Sequence, residues 1–203
     1  MIRVLLHSRG AQWALLAAVG LWVVAVGIGR AALEIDLSPT FPPTKVVVAE
    51  FCVIVAATLL GILTRPRFWE WDRVARGHRA KALAGTVAAA VIACATLCVP
   101  VLVPWLPAGA PWGWVFANAL LLAAFVVLLT PFLSALVAGG VTLVLWFGAA
   151  VVANLAPAVW LPLAHYRGHD PSWGVAAVLC VAAVVVHVRT CGLTAWAHRQ
   201  FER

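Results

Sequence analysis

Ala82-Leu83-Ala84-Gly85-Thr86-Val87-Ala88-Ala89-Ala90-Val91-Ile92-Ala93-Cys94-Ala95-Thr96-Leu97-Cys98-Val99 opens a run of 85 residues, ending at Tyr166, that contains no Asp, Glu, Lys or Arg. A soluble domain cannot cover its surface with such a stretch. The whole chain agrees: 65% of its residues are hydrophobic and 10% charged, against about 45–50% and about 25% in soluble domains. The run belongs in a bilayer, where the lack of water forces backbone groups to pair internally and leaves α-helices as the natural solution for a sequence of this kind. The fold class is therefore all-α, a polytopic integral membrane protein.

Each span needs roughly 20 mainly apolar residues. Working outward from the run, proline and glycine mark the cuts. Pro104 to Pro111 makes one turn and Thr130-Pro131 the next, giving spans at 82–103, 112–129 and 132–155. Upstream, charges and the proline-rich Ser38-Pro39-Thr40-Phe41-Pro42-Pro43 bound two more, at 11–29 and 46–63. A sixth runs over 173–193, and 1–203 form a single transmembrane domain. Proline is tolerated inside membrane helices, so a kink at Pro131 in place of a turn gives five spans.

Cation placement favours six. Short loops rich in Lys and Arg stay cytoplasmic. Arg3 and Arg9 precede the first span, six cations lie in 64–81, and Arg199 and Arg203 follow the last span. Only six spans put all three clusters on one side, with both termini cytoplasmic in the cell membrane. Tryptophan, which prefers the headgroup level, fits the same frame: Trp105, Trp112, Trp114, Trp160 and Trp173 fall at the outer boundary, Trp13, Trp69, Trp71 and Trp196 at the inner one, and Trp22 and Trp146 mid-span. The net charge of +7 follows from this orientation and from anionic headgroups, so it does not point to nucleic acid.

Few residues inside the spans carry chemistry. Glu50 sits about one turn into the second span, where an ionised group costs several kcal/mol unless paired or hydrated; it is a candidate for a pathway or, if it reaches the interface, a partner of Lys45 or Arg30. Asn118, Asn154 and His187 are the other intramembrane polar candidates. His165, His169 and Asp170 are spaced as a metal set, although Gly168 and Pro171 disturb a helix there. Cys94 and Cys98 share a face at i, i+4 and read first as small hydrophobes. No phosphate loop, nucleophile elbow or dinucleotide fingerprint occurs, so no catalytic residue is assigned and any ATP hydrolysis belongs to another chain.

The charged loop 64–81 is the remaining feature. Phe68, Trp71, Ala75 and His78 form one helical stripe, Trp69, Arg73 and Arg76 another, and Asp72 lies four residues before Arg76 in the favourable order. Such a helix lies on the membrane surface or docks on a soluble partner, since Trp and Arg are typical interface anchors.

Six spans, a helical loop between the second and third, and the outer segment 156–172, broken by Pro157 and Pro162, together resemble the permease subunits of type-2 ABC exporters. Arg65-Pro66-Arg67-Phe68-Trp69-Glu70-Trp71-Asp72-Arg73 is similar to the loop of small actinobacterial members. The resemblance implies a coupling helix whose Phe68, Trp69, Glu70, Trp71, Asp72, Arg73 and Arg76 contact an ATP-binding cassette subunit. It further implies ATP and Mg on that partner with no cofactor in this chain, a second permease copy or sister permease, and re-entrant helices in 156–172. Substrate would be apolar or amphipathic. Two other classes stay open: a metal- or cofactor-dependent membrane enzyme built on His165 and His169, and a non-catalytic accessory or immunity protein.

Overall fold

The computed structural model describes residues 11–28, 31–37, 44–66, 78–102, 112–156, 159, 161–163 and 171–194. Apolar stretches that are hydrophobic on every face form its helices. In chain order they are α1 (Ala11–Ile28), strands β1 (Ala32–Ile35) and β2 (Thr44–Val47), α2 (Val48–Leu63), α3 (His78–Thr96), α4 (Cys98–Leu102), α5 (Trp112–Leu129), α6 (Ala135–Leu155) and α7 (Trp173–Thr190). Four helical segments, His78–Val101, Trp112–Leu129, Ala135–Leu155 and Trp173–Thr190, are long and apolar enough to cross a membrane. The protein is a helical membrane protein with a small β-hairpin.

Proline decides where two of the apolar stretches break. Pro131 has no N–H to offer the carbonyl of Val127, so α5 stops at Leu129. The Thr130 hydroxyl supplies the missing donor to Val127 O at 2.8 Å. A turn over Thr130–Leu133 follows, and Ser134 caps α6 by accepting from Val137 N at 3.2 Å. Pro100 acts similarly on Thr96, and the segment expected as one span over 82–103 turns at Leu97 into α4. That turn falls between Cys94 and Cys98, within the apolar segment His78–Val101. α3 also begins earlier than the hydrophobic limit, at His78, because exposed Arg79 and Lys81 extend from its first turn into water. The last four residues of the expected loop 64–81 are thus helical.

The hairpin is the main departure from an all-helical reading. Residues 46 and 47, expected to begin the second span, lie in β2, which pairs antiparallel with β1 in the register Ala32↔Val47, Leu33↔Val46, Glu34↔Lys45 and Ile35↔Thr44. Val46 and Val47 are buried. α2 has 16 residues, about 24 Å of rise, short of the roughly 30 Å hydrocarbon core. β2 runs directly into α2 and adds about 13 Å. Extended backbone at this depth is tolerable only where it is paired and covered. The ladder, together with Val48 N donating to Ala31 O at 3.0 Å and Ala31 N to Ile28 O at 3.1 Å, supplies the pairing.

α5 is the central helix: 61% of it is buried, against 17% for α7. It packs on α2, α3, α6 and α7, while α1 lies outside against α2 and α4. Trp22 on α1 reaches inward, its indole N–H donating to Cys94 O at 2.9 Å. Close helix approach depends on Gly139 of α6, where an added Cβ would overlap the Thr58 side chain of α2 and lie 2.9 Å from its Cγ2. Gly139→Ala is expected to destabilise the bundle by about 1–3 kcal/mol. Thr58→Ala in the same chain should recover most of that loss in detergent unfolding, and no recovery would show that the contact is not the cause.

Helices that follow one another along the chain run in opposite directions, with α3 and α4 as one segment, so the chain has two poles. One carries Arg65, His78, Arg79, Lys81, His187 and Arg189; the other carries the hairpin and the start of α5.

Candidate functional site

Between the poles, Glu50 is the third residue of α2 and is completely buried. Its helix position helps: the first turn presents the positive end of the helix dipole to a carboxylate. Asn118 of α5 donates its amide N–H to Glu50 Oε1 at 2.9 Å, and Trp146 of α6 donates its indole N–H to Oε2 at 2.7 Å. Phe51 packs on the Trp146 ring with centroids 6.5 Å apart. One carboxylate thus ties together three helices.

The depth of this cluster follows from helix rise. Asn118 lies about 9 Å from the start of α5, and Trp146 about 14 Å from the end of α6. Glu50 is held at that level because α2 begins below the hairpin. The Glu50 carboxylate sits inside the bundle.

Asn118 makes the arrangement unequal. Its Nδ2 serves Glu50, and its Oδ1 is buried without a hydrogen-bond partner. A buried amide oxygen lacking a donor is costly. With the amide turned over, Oδ1 instead faces the carboxyl group, so the Asn118 side chain has two orientations toward Glu50.

Asn154, another intramembrane candidate, does a different task. It is buried near the end of α6, where Oδ1 accepts from Leu37 N at 3.1 Å and Nδ2 donates to Ile35 O at 3.1 Å. It pins the backbone of β1 to the bundle.

His187 belongs to the basic pole. Nδ1 meets Ala183 O at 2.9 Å and Nε2 meets Thr130 Oγ1 at 3.3 Å. A carbonyl only accepts, so Nδ1 carries a hydrogen. The ring borders a cavity of about 50 Å³ into which Thr64, Arg65, Thr130 and Ser134 also project. At the other pole an apolar recess of about 310 Å³ is bordered by Val99, Pro100, Trp112 and Phe116.

The residues expected to couple to an ATPase, Phe68, Trp69, Glu70, Trp71, Asp72, Arg73 and Arg76, lie outside the described residues, as do His165, His169 and Asp170. Among the described residues no group of three His, Cys, Asp or Glu side chains is placed to hold a metal. In the sequence Glu50 and Asn118 stand out separately, and Trp146 stands out only as a mid-span tryptophan. The available signal was a mid-span indole N–H, which needs a partner when buried. Comparisons with models of known protein families, with curated proteins and with solved structures gave no match.

Proposed function

We propose that the chain is the transmembrane subunit of an ATP-driven exporter in the cell membrane, with six spans and both termini cytoplasmic. It pairs with itself or a sister permease and moves an apolar or amphipathic substrate. A separate ATPase, carrying ATP and Mg, docks on the loop 64–81 through Phe68, Trp69, Glu70, Trp71, Asp72, Arg73 and Arg76. The observation that supports this reading is the course of α2: one end enters that loop at Thr64, and the other carries Glu50 into its hydrogen bonds with Asn118 and Trp146. A rigid helix about 24 Å long is a lever between the docking loop and the polar contact that locks α2 to α5 and α6.

In this mechanism, closure of the ATPase dimer displaces the loop, tilts α2 and loads the Glu50 contacts. Asn118, with its two amide orientations, lets the contact break and re-form as the helices move. The ATPase shifts the bundle only if it binds the loop differently in the two states. The apolar recess beside Trp112 and Phe116 has the chemistry to take an alkyl chain.

Purification of the full chain from its native membrane in mild detergent tests the proposal. An ATP-binding cassette chain should co-purify, and Trp71→Ala with Asp72→Ala should remove it while the protein remains inserted and folded. Absence of an ATPase with the natural chain, or its retention by the double variant, refutes the reading; the first result favours an accessory role.

A further inference from the structure

Between α3 and α4 the helical ladder opens further than its proline requires. Pro100 lacks the N–H that would serve Thr96 O, which accounts for one missing bond. Yet α3 ends at Thr96 and α4 begins at Cys98, and the last backbone bond of α3 runs from Leu97 N to Ala93 O at 2.9 Å. Cys94 O is therefore left outside the ladder, although its usual donor, the N–H of Cys98 four residues on, is an ordinary amide. Proline does not explain that gap.

Trp22 does. Its indole N–H comes from α1, 72 residues away, and donates to Cys94 O at 2.9 Å. The neighbouring groups are served by side chains as well: the Cys98 thiol donates to Ala95 O at 3.1 Å, and the Thr96 hydroxyl turns back to Ile92 O at 2.9 Å and Ala93 O at 3.1 Å, a pattern that bends helices. The helix that carries Trp22 is lightly attached. Among the described side chains of α1 the buried ones are Ala14, Ala18 and Ala25, methyl groups with little area to bury, with Leu21, Trp22 and Val26 packed partly buried beside them.

A carbonyl left without a donor in a bilayer is costly, so Cys94 O needs one N–H or the other. We propose that Trp22 and the Cys98 amide compete for Cys94 O, which makes α1 a latch on the α3–α4 segment. With α1 seated, Trp22 holds the carbonyl and the helix is broken at Leu97. With α1 displaced, the Cys98 N–H closes the helical bond to Cys94 O, and α3 continues into α4 as far as Pro100 allows. α4 carries Val99 and Pro100, which border the apolar recess together with Trp112 and Phe116 of α5, so the latch sets the position of one wall of that recess. The exchange needs these hydrogen bonds and no ATPase.

Full-length protein labelled isotopically at its cysteine backbone nitrogens gives five amide signals in detergent, and Cys98→Ala assigns the relevant one by its absence. Exchange of these amides into deuterated water is the readout. Trp22→Phe keeps an aromatic ring and removes the N–H, so it should slow exchange at Cys98 about tenfold, the weight of one net hydrogen bond. The amides of Cys52 and Cys180, inside α2 and α7, should be unchanged. A Trp22 that only packs would give the opposite sign, because loosening a contact accelerates exchange. Faster or unchanged exchange at Cys98 in Trp22→Phe therefore overturns the proposal. If that variant does not fold, Pro100→Ala decides instead: it restores a donor for Thr96 O and favours the continuous helix, so slower exchange at Cys98 supports the latch and unchanged or faster exchange overturns it.

Discussion

Glu50→Ala is expected to destabilise the folded chain by about 3 kcal/mol or more, and Glu50→Gln by less than about 1 kcal/mol. Alanine strands two buried donors, Asn118 Nδ2 and Trp146 Nε1, each costing about 1–3 kcal/mol when unsatisfied. It also leaves a void between α2, α5 and α6. Glutamine keeps the volume. Its Oε1 can accept from Trp146, and its Nε2 can donate to Asn118 once that amide turns over, giving the presently unpartnered Oδ1 a donor. Asn118 thus exchanges its unpartnered atom, Oδ1 in the natural chain for Nδ2 in the variant. Reversible unfolding in detergent measures both values, and equal small losses for Ala and Gln would show that the cluster does not hold the helices together.

The same pair of variants separates structure from function. A carboxylate that only packs helices is replaceable by glutamine without consequence. A carboxylate whose charge or proton takes part in the working cycle is not. Under the exporter proposal, the Gln variant retains its ATPase partner, because the docking loop is untouched, and loses coupling between the bundle and ATP turnover. Coupling that survives in the Gln variant would reduce Glu50 to a packing element.

The membrane class was legible because charge has a large transfer cost: 85 residues without a formal charge admit no other environment. The break at Pro131 was legible because proline lacks a donor whatever surrounds it. The hairpin was harder. Thr44, Val46 and Val47 continue without interruption into the apolar α2, and a short apolar run does not distinguish strand from helix by periodicity. A signal did exist in the proline-rich sequence Ser38–Pro43 between Glu34 and Lys45, which are opposite in the strand register. The site was half legible. Glu50 was conspicuous as a carboxylate in a span, but its partners lie 68 and 96 residues away, and only helix packing brings them together. The basic-pole cavity was less visible still, since Arg65 was accounted for by orientation and Thr130 by the turn.

The hairpin also gives the second large effect. Asn154→Ala is expected to cost about 2–3 kcal/mol, because the side chain satisfies one backbone N–H at Leu37 and one backbone C=O at Ile35 in a region where water is scarce. The loss should be local in its first consequence. β1 holds β2 through a ladder only four residues long, and β2 continues into the first turn of α2, where Glu50 lies two residues beyond Val48. Releasing β1 from α6 therefore loosens the cover above the Glu50 cluster before the helices separate. Hydrogen exchange followed by mass spectrometry should show faster exchange at 32–37 and 44–47 in Asn154→Ala, with α5 unchanged. Asn154→Asp keeps the acceptor for Leu37 N and loses the donor to Ile35 O, so it should fall between the natural chain and alanine unless its added charge dominates. Uniform acceleration across α5 and α6 would instead make Asn154 a determinant of global packing, and unchanged exchange in the strands would show that the ladder alone holds the hairpin in place.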